Sequence, residues 1–138
     1  MRAEIIKDGE KILVLILRKG EFRKGLNFYT KDKDFIQVAT WKYDKGKKTI
    51  PHRHKISKRI TNRTQEVICV KRGGIKAEIY NDKEKLIKKV IFKTGDIAIL
   101  FGGGHSYEIL KNNTQVLEIK NGPYLGPEED KEIINYEK

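Results

Sequence analysis

Short runs rich in β-branched and aromatic residues are interrupted every eight to twelve residues by Gly, Asn or Asp, the rhythm of an all-β sandwich or barrel. The pattern predicts strands over Lys11–Leu17, Phe35–Tyr43, Glu66–Lys71, Gly74–Tyr80, Leu86–Phe92, Ile97–Phe101, Ser106–Leu110 and Gln115–Lys120. In Ile75-Lys76-Ala77-Glu78-Ile79 the alternation is clean, so one face is expected in a core and the other in water. Asn81-Asp82-Lys83-Glu84 reads as a hairpin turn, and Lys93-Thr94-Gly95-Asp96 as a reversal in which Gly95 takes a positive φ. Lys55–Arg63 is polar and basic and reads as a loop or a strand with little burial. The end of the chain, from Asn121-Gly122-Pro123-Tyr124 onward, has loop chemistry and is expected to wrap the outside of the domain or a partner subunit. The one helical signal is a short stretch, Glu128–Tyr136.

Length changes this picture little: 138 residues suit a single domain with one core, placed here over about residues 35–120. Ile12–Leu17 is the most apolar block, but six residues fall far short of the ~20 a membrane-spanning helix needs. No leader-like hydrophobic run follows Met1, and the single cysteine, Cys69, cannot form an intrachain disulfide. The expectation is a cytoplasmic protein without membrane association, with Cys69 packed as a small hydrophobe. Thirty Lys and Arg against nineteen Asp and Glu give a net charge of +11 and raise the question of nucleic acid. The lysines are spread along the chain and no helix-turn-helix, zinc-finger or RNP-like pattern occurs, so a solvated basic surface is the expected reading, with Trp41 as core or rim packing. An apolar N-terminal strand in a small β domain favours a homodimer, with residues 1–34 at the contact.

Chemistry enters with the histidines. There are three, His52, His54 and His105. The first two are one residue apart, which on a strand would aim them to the same face; the third ends the run Gly102-Gly103-Gly104. Three imidazoles favour a transition metal over calcium or magnesium. Glu66 shares a strand face with Ile68 and Val70, where a carboxylate is costly unless it has a cation or a hydrogen-bond partner. The bland readings are a surface histidine pair, and a glycine run that is open so that His105 can turn inward. Backbone N–H groups of that run could also cradle an anion, but no P-loop lysine and serine follow.

Gly46, five residues, His52-Arg53-His54, then Glu66, six residues and Gly73 resemble the first motif of the cupin superfamily. The departure is in the middle, where eleven residues separate His54 from Glu66 in place of three or four. Gly95 and Gly103 match the second motif, with Phe101 in place of its proline, His105 one residue early and Ile109 in place of its asparagine. Arg59, Thr64-Gln65-Glu66, Gly95-Asp96, Gly103-Gly104-His105 and Asn121-Gly122-Pro123-Tyr124 are similar to a branch of small bacterial and archaeal cupins. The resemblance implies a jelly-roll barrel, a double-stranded β-helix with short N-terminal strands and a C-terminal tail. It implies a site in which His52, His54, Glu66 and His105 hold one divalent ion, iron, manganese, nickel or zinc. Glu66, Arg59 and Tyr107 are then the candidate catalytic groups, Arg59 through its planar fork on an anionic ligand and Tyr107 with Gln65 beside the ligands. The function implied is a small metal-dependent enzyme acting on a polar metabolite such as a sugar derivative or a keto or hydroxy acid. The alternatives are an iron-dependent dioxygenase, a non-catalytic metal or small-ligand module, and a metal-independent sugar-nucleotide epimerase or isomerase. The expected partners are a small polar or anionic ligand and a second copy of the chain.

Overall fold

A computed structural model describes residues 3–134. The chain divides into two compact units: the first comprises Met1–Glu21 with Thr64–Lys138, and the second comprises Phe22–Arg63.

The first unit carries β1 (Glu4–Asp8), β2 (Lys11–Leu17), β5 (Glu66–Arg72), β6 (Gly74–Tyr80), β7 (Leu86–Lys93), β8 (Ile97–Leu100), β9 (Gly104–Ile109) and β10 (Gln115–Lys120). Helix α1 (Pro127–Asp130) is a single turn, and the predicted helix beyond Ile134 lies outside the described residues. β1, β2, β8, β5 and β10 form one sheet in that order, and β7, β6 and β9 form another. The two share one core: Ile6, Val14, Ile16, Ile68, Val70, Ala98 and Leu100 from the first sheet, and Ile75, Ala77, Ile79, Val90 and Phe92 from the second. This is a two-layer sandwich built from the alternation that β6 shows most clearly, with Ile75, Ala77 and Ile79 inward. On its other face Lys76 pairs with Glu108, and Lys89 Nζ lies 2.8 Å from Glu78 Oε1, so the solvent side is laced by ion pairs.

β2 breaks the alternation. Leu13 to Leu17 are all buried, because the strand lies inside its sheet between β1 and β8 and both of its faces are covered. A continuous apolar run is what such a strand requires. The two expected turns form: Gly95 has φ 93°, and Asn81 Oδ1 accepts hydrogen bonds from the backbone N–H of Lys83 (3.0 Å) and Lys85 (2.9 Å). β1 was not expected from the sequence; its single buried residue, Ile6, leaves little periodic signal.

The jelly-roll barrel implied by the cupin resemblance is not formed. Each sheet is open, and no sheet closes on itself. β1 lies against β7 on one side of the sandwich, while the opposite side, between β9 and β10, is an open cleft. The registers explain it. His105 and Tyr107 stand opposite Ile79 and Ala77, and Glu118 and Lys120 stand opposite Ile68 and Glu66, so both open-side strands aim polar groups inward. Closing that seam would bury Ile109 and Val116 but would also strip water from Glu118 and Lys120, and desolvating charges costs more than burying two aliphatic side chains returns.

The second unit holds the hairpin of β3 (Gly25–Phe28) and β4 (Ala39–Lys42), a sheet of its own. β4 is the C-terminal half of the predicted strand Phe35–Tyr43; Phe35 to Val38 are instead drawn into a turn in which Gln37 donates to the carbonyls of Lys31 and Asp34. From Tyr43 to Arg63 the chain is irregular and exposed. Among the described residues, no helix is long and apolar enough to cross a membrane.

Candidate ligand cleft

The cleft on the open side of the sandwich has a volume of about 780 Å³. Ile68 and Leu100 line it from one sheet, Ile75 and Ile109 from the other, with Val116 and Ile134 at its edges. Its polar end is made by Glu66, His105, Tyr107 and Glu118. The first residue of β5 is Glu66, and it is anchored from both sides: Gln65 N–H donates to Asn121 Oδ1 (2.8 Å), and Gln65 Nε2 to the carbonyl of Phe101 (3.4 Å). β9 brings His105 into reach from the opposite sheet, immediately after a turn in which Gly103 takes φ 75°. His105 Nε2 stands 3.2 Å from Glu66 Oε2, and the His105 and Tyr107 rings lie 5.0 Å apart.

Glu66 is only 11 % exposed in its side chain. Its Oε2 atom is buried and has no hydrogen-bond partner among the described residues, because the His105 contact is close but not aligned for one. Burial raises the Glu66 pKa above the ordinary carboxylate value; Glu118 adds to the rise, while Lys120 and Lys131 oppose it. Burial lowers the His105 pKa, Glu118 works against that, and Lys131 and Lys120 reinforce it. Tyr107 is pushed well up by burial and then by the Glu66 and Glu118 carboxylates. The acid and the imidazole therefore move toward each other in proton affinity.

The segment from Asp130 to Ile134 forms part of the wall. Lys120 Nζ reaches Asp130 Oδ2 of α1 at 3.1 Å and sits over the Tyr124 ring at 5.2 Å, pinning the segment that follows β10. Residues 130–134 line the cleft, and Ile134 packs so closely on Gly104 that a Cβ there would meet its Cδ1 at 2.0 Å. Gly104, with no side chain, is what lets Ile134 approach the wall here.

The other candidate residues lie in the second unit. His52 and His54 are exposed and off any strand, so the period-two argument does not apply to them; their rings meet edge to face, 5.6 Å between centroids, and His52 Nδ1 lies 2.8 Å from the Ile50 carbonyl. Arg59 is exposed and donates to the Ser57 carbonyl at 3.3 Å. Among the described residues no three His, Cys, Asp or Glu side chains are grouped as a metal site would need. With neither the barrel nor a ligand cluster, the cupin reading does not stand. The metal-dependent enzyme, the iron dioxygenase, the cupin binding module and the cupin epimerase fall with it. Glu118, which the motif does not include, also lines the polar end. The signal was present, a lone acid interrupting Val116-Leu117 and Ile119.

Comparison with protein-family models, with characterised proteins and with solved structures gives no match for this chain.

Proposed function

We propose that the first unit is a small-molecule receptor whose cleft takes a ligand with an apolar body and a hydrogen-bond-donating head, an amine or a hydroxyl. One observation carries this reading: Glu66 Oε2 is buried at the polar end of a 780 Å³ cleft and has no hydrogen-bond partner among the described residues. A buried acceptor without a partner costs about 1–3 kcal/mol, and a ligand N–H or O–H placed there recovers that cost. Two carboxylates, Glu66 and Glu118, at the same end favour a donor over an anion. The isoleucine, leucine and valine walls would take the ligand's apolar part, the usual division of labour in such pockets.

The test is a thermal-shift panel of size-matched amines, alcohols and carboxylates, run on the wild type and on Glu66→Gln. Amines and alcohols with apolar bodies are expected to raise the melting temperature of the wild type, with the shift lost in the variant. Carboxylates binding as well as amines, or an undiminished response in Glu66→Gln, would sink the reading.

Without ligand, the same substitution is expected to stabilise the protein by about 1 kcal/mol at pH 8. The sign follows from the raised pKa: burial disfavours the charged form, so the cost is absent below the unfolded-state value of 4.5 and grows as pH rises through the folded value. The gain from Glu66→Gln should therefore disappear in denaturation curves recorded below that pH.

A further inference from the structure

The net charge of +11 is divided very unequally. The second unit, 42 residues from Phe22 to Arg63, holds thirteen Lys and Arg against three Asp, a net of +10. The rest of the chain holds seventeen Lys and Arg against sixteen Asp and Glu, a net of +1. From Lys45 to Arg63 there are eight basic residues and no acid, all on exposed backbone.

Beside this run stands a hairpin whose faces are inverted. Asn27 and Thr40 share the less exposed face of β3–β4, while the opposite face puts Leu26 (48 %), Phe28 (63 %) and Trp41 (62 %) in solvent. Trp41 stands opposite Leu26, so Phe28 is its diagonal neighbour, and the two rings are rooted about 7 Å apart on one flat surface. Apolar rings presented outward in a unit of such charge are poorly explained by folding, which would turn them inward.

We propose that the second unit binds single-stranded nucleic acid. Phe28 and Trp41 stack on unpaired bases, and the basic run from Lys45 to Arg63 follows the phosphates. Stacking platforms beside a cationic track are what sequence-tolerant recognition of single strands requires. A duplex keeps its bases paired and offers the rings nothing. The charge imbalance selects a polyanion over a second copy of the chain, which would bring the same +10 to the contact.

Trp41 is the sole tryptophan, so its fluorescence reports on this face alone. Full-length protein would be titrated with a 20-nucleotide poly-dT strand, with a duplex of equal length, and with vesicles of phosphatidylserine. Expected are quenching of Trp41 by the single strand, affinity at least about tenfold above that for the duplex, and a fall of log K with log salt of slope about −2 to −6. Trp41→Ala, followed by anisotropy of labelled strand, should weaken single-strand binding about tenfold and leave duplex binding unchanged. No binding of the strand at low salt, binding without quenching, equal affinity for duplex, or a Trp41 response to vesicles but not to the strand would each overturn the proposal. So would a Trp41 blue shift that depends on protein concentration alone, the mark of a second copy on that face.

Discussion

Asp96→Ala is expected to lower the melting temperature of the protein by roughly 15 °C at pH 7, a loss of about 3 kcal/mol. Asp96 is almost fully buried in the turn between β7 and β8 and ties three separate groups together. Its Oδ2 accepts from Arg18 Nη1 at 2.7 Å and from the Lys93 N–H at 2.9 Å, and its Oδ1 accepts from the Lys19 N–H at 3.0 Å. Alanine would leave the Lys93 and Lys19 N–H groups without their acceptor and take from Arg18 its buried carboxylate, leaving it Glu4 and the Ile91 carbonyl, at a cost above that of a surface pair. Glu4→Ala, which removes the more exposed Arg18 partner 2.9 Å away, should cost less than about 1 kcal/mol and serves as the control.

The pH dependence has a definite sign. Burial alone would raise the Asp96 pKa, but the Lys93 N–H, the Arg18 guanidinium and the Lys19 N–H outweigh it and hold the carboxyl below its ordinary value of 3.8. The stabilisation is therefore fully present above that value and is lost as pH falls through the lower folded value. Chemical denaturation should show wild type and Asp96→Ala well separated at pH 6 and converging below pH 4. A constant gap across that range would mean that the carboxylate's charge is not what holds the turn.

The second large effect is expected at Gly103. Its φ of 75° lies where side chains are strained, and a Cβ there would come 2.2 Å from the Tyr80 carbonyl oxygen and 3.3 Å from Leu13 Cδ2. Neither the backbone carbonyl nor the core leucine can yield cheaply, so Gly103→Ala should cost about 3 kcal/mol. Because β9 begins at the next residue, relief of the clash should carry His105 away from Glu66. The NMR titration of His105 would then move back up toward the ordinary imidazole value of 6.5, since leaving the cleft restores its hydration. A folded Gly103→Ala variant with an unchanged His105 titration would show that the turn does not position the imidazole.

Strands were legible wherever alternation or β-branching was strong. β2, β6 and β10 have the boundaries the pattern predicts, and β5, β7, β8 and β9 differ from theirs by no more than a residue or two. β3, four residues from Gly25 to Phe28, escaped because its apolar side chains face outward, so the usual inference from pattern to core has nothing to grip. Of the site, Glu66 was legible as an acid on an apolar face and His105 as the residue a glycine run frees to turn inward. Their meeting was expected around a metal with His52 and His54; it occurs across the two sheets of the first unit, beside Glu118, while His52 and His54 belong to the second unit.

Side-chain alternation and turn chemistry, which act over a few residues, were enough to determine that the chain is β-rich, where most strands run and which faces they bury. The same short-range information shows an acid-free basic run from Lys45 to Arg63. Whether the sheets close, which carboxylates share a cleft, and that nearly all the net charge resides in one unit were decided only by tertiary structure. Closure, burial and charge partition depend on which distant segments pack together. Motif spacing along the chain carries no measure of the cost of burying Glu118 and Lys120 to seal a barrel.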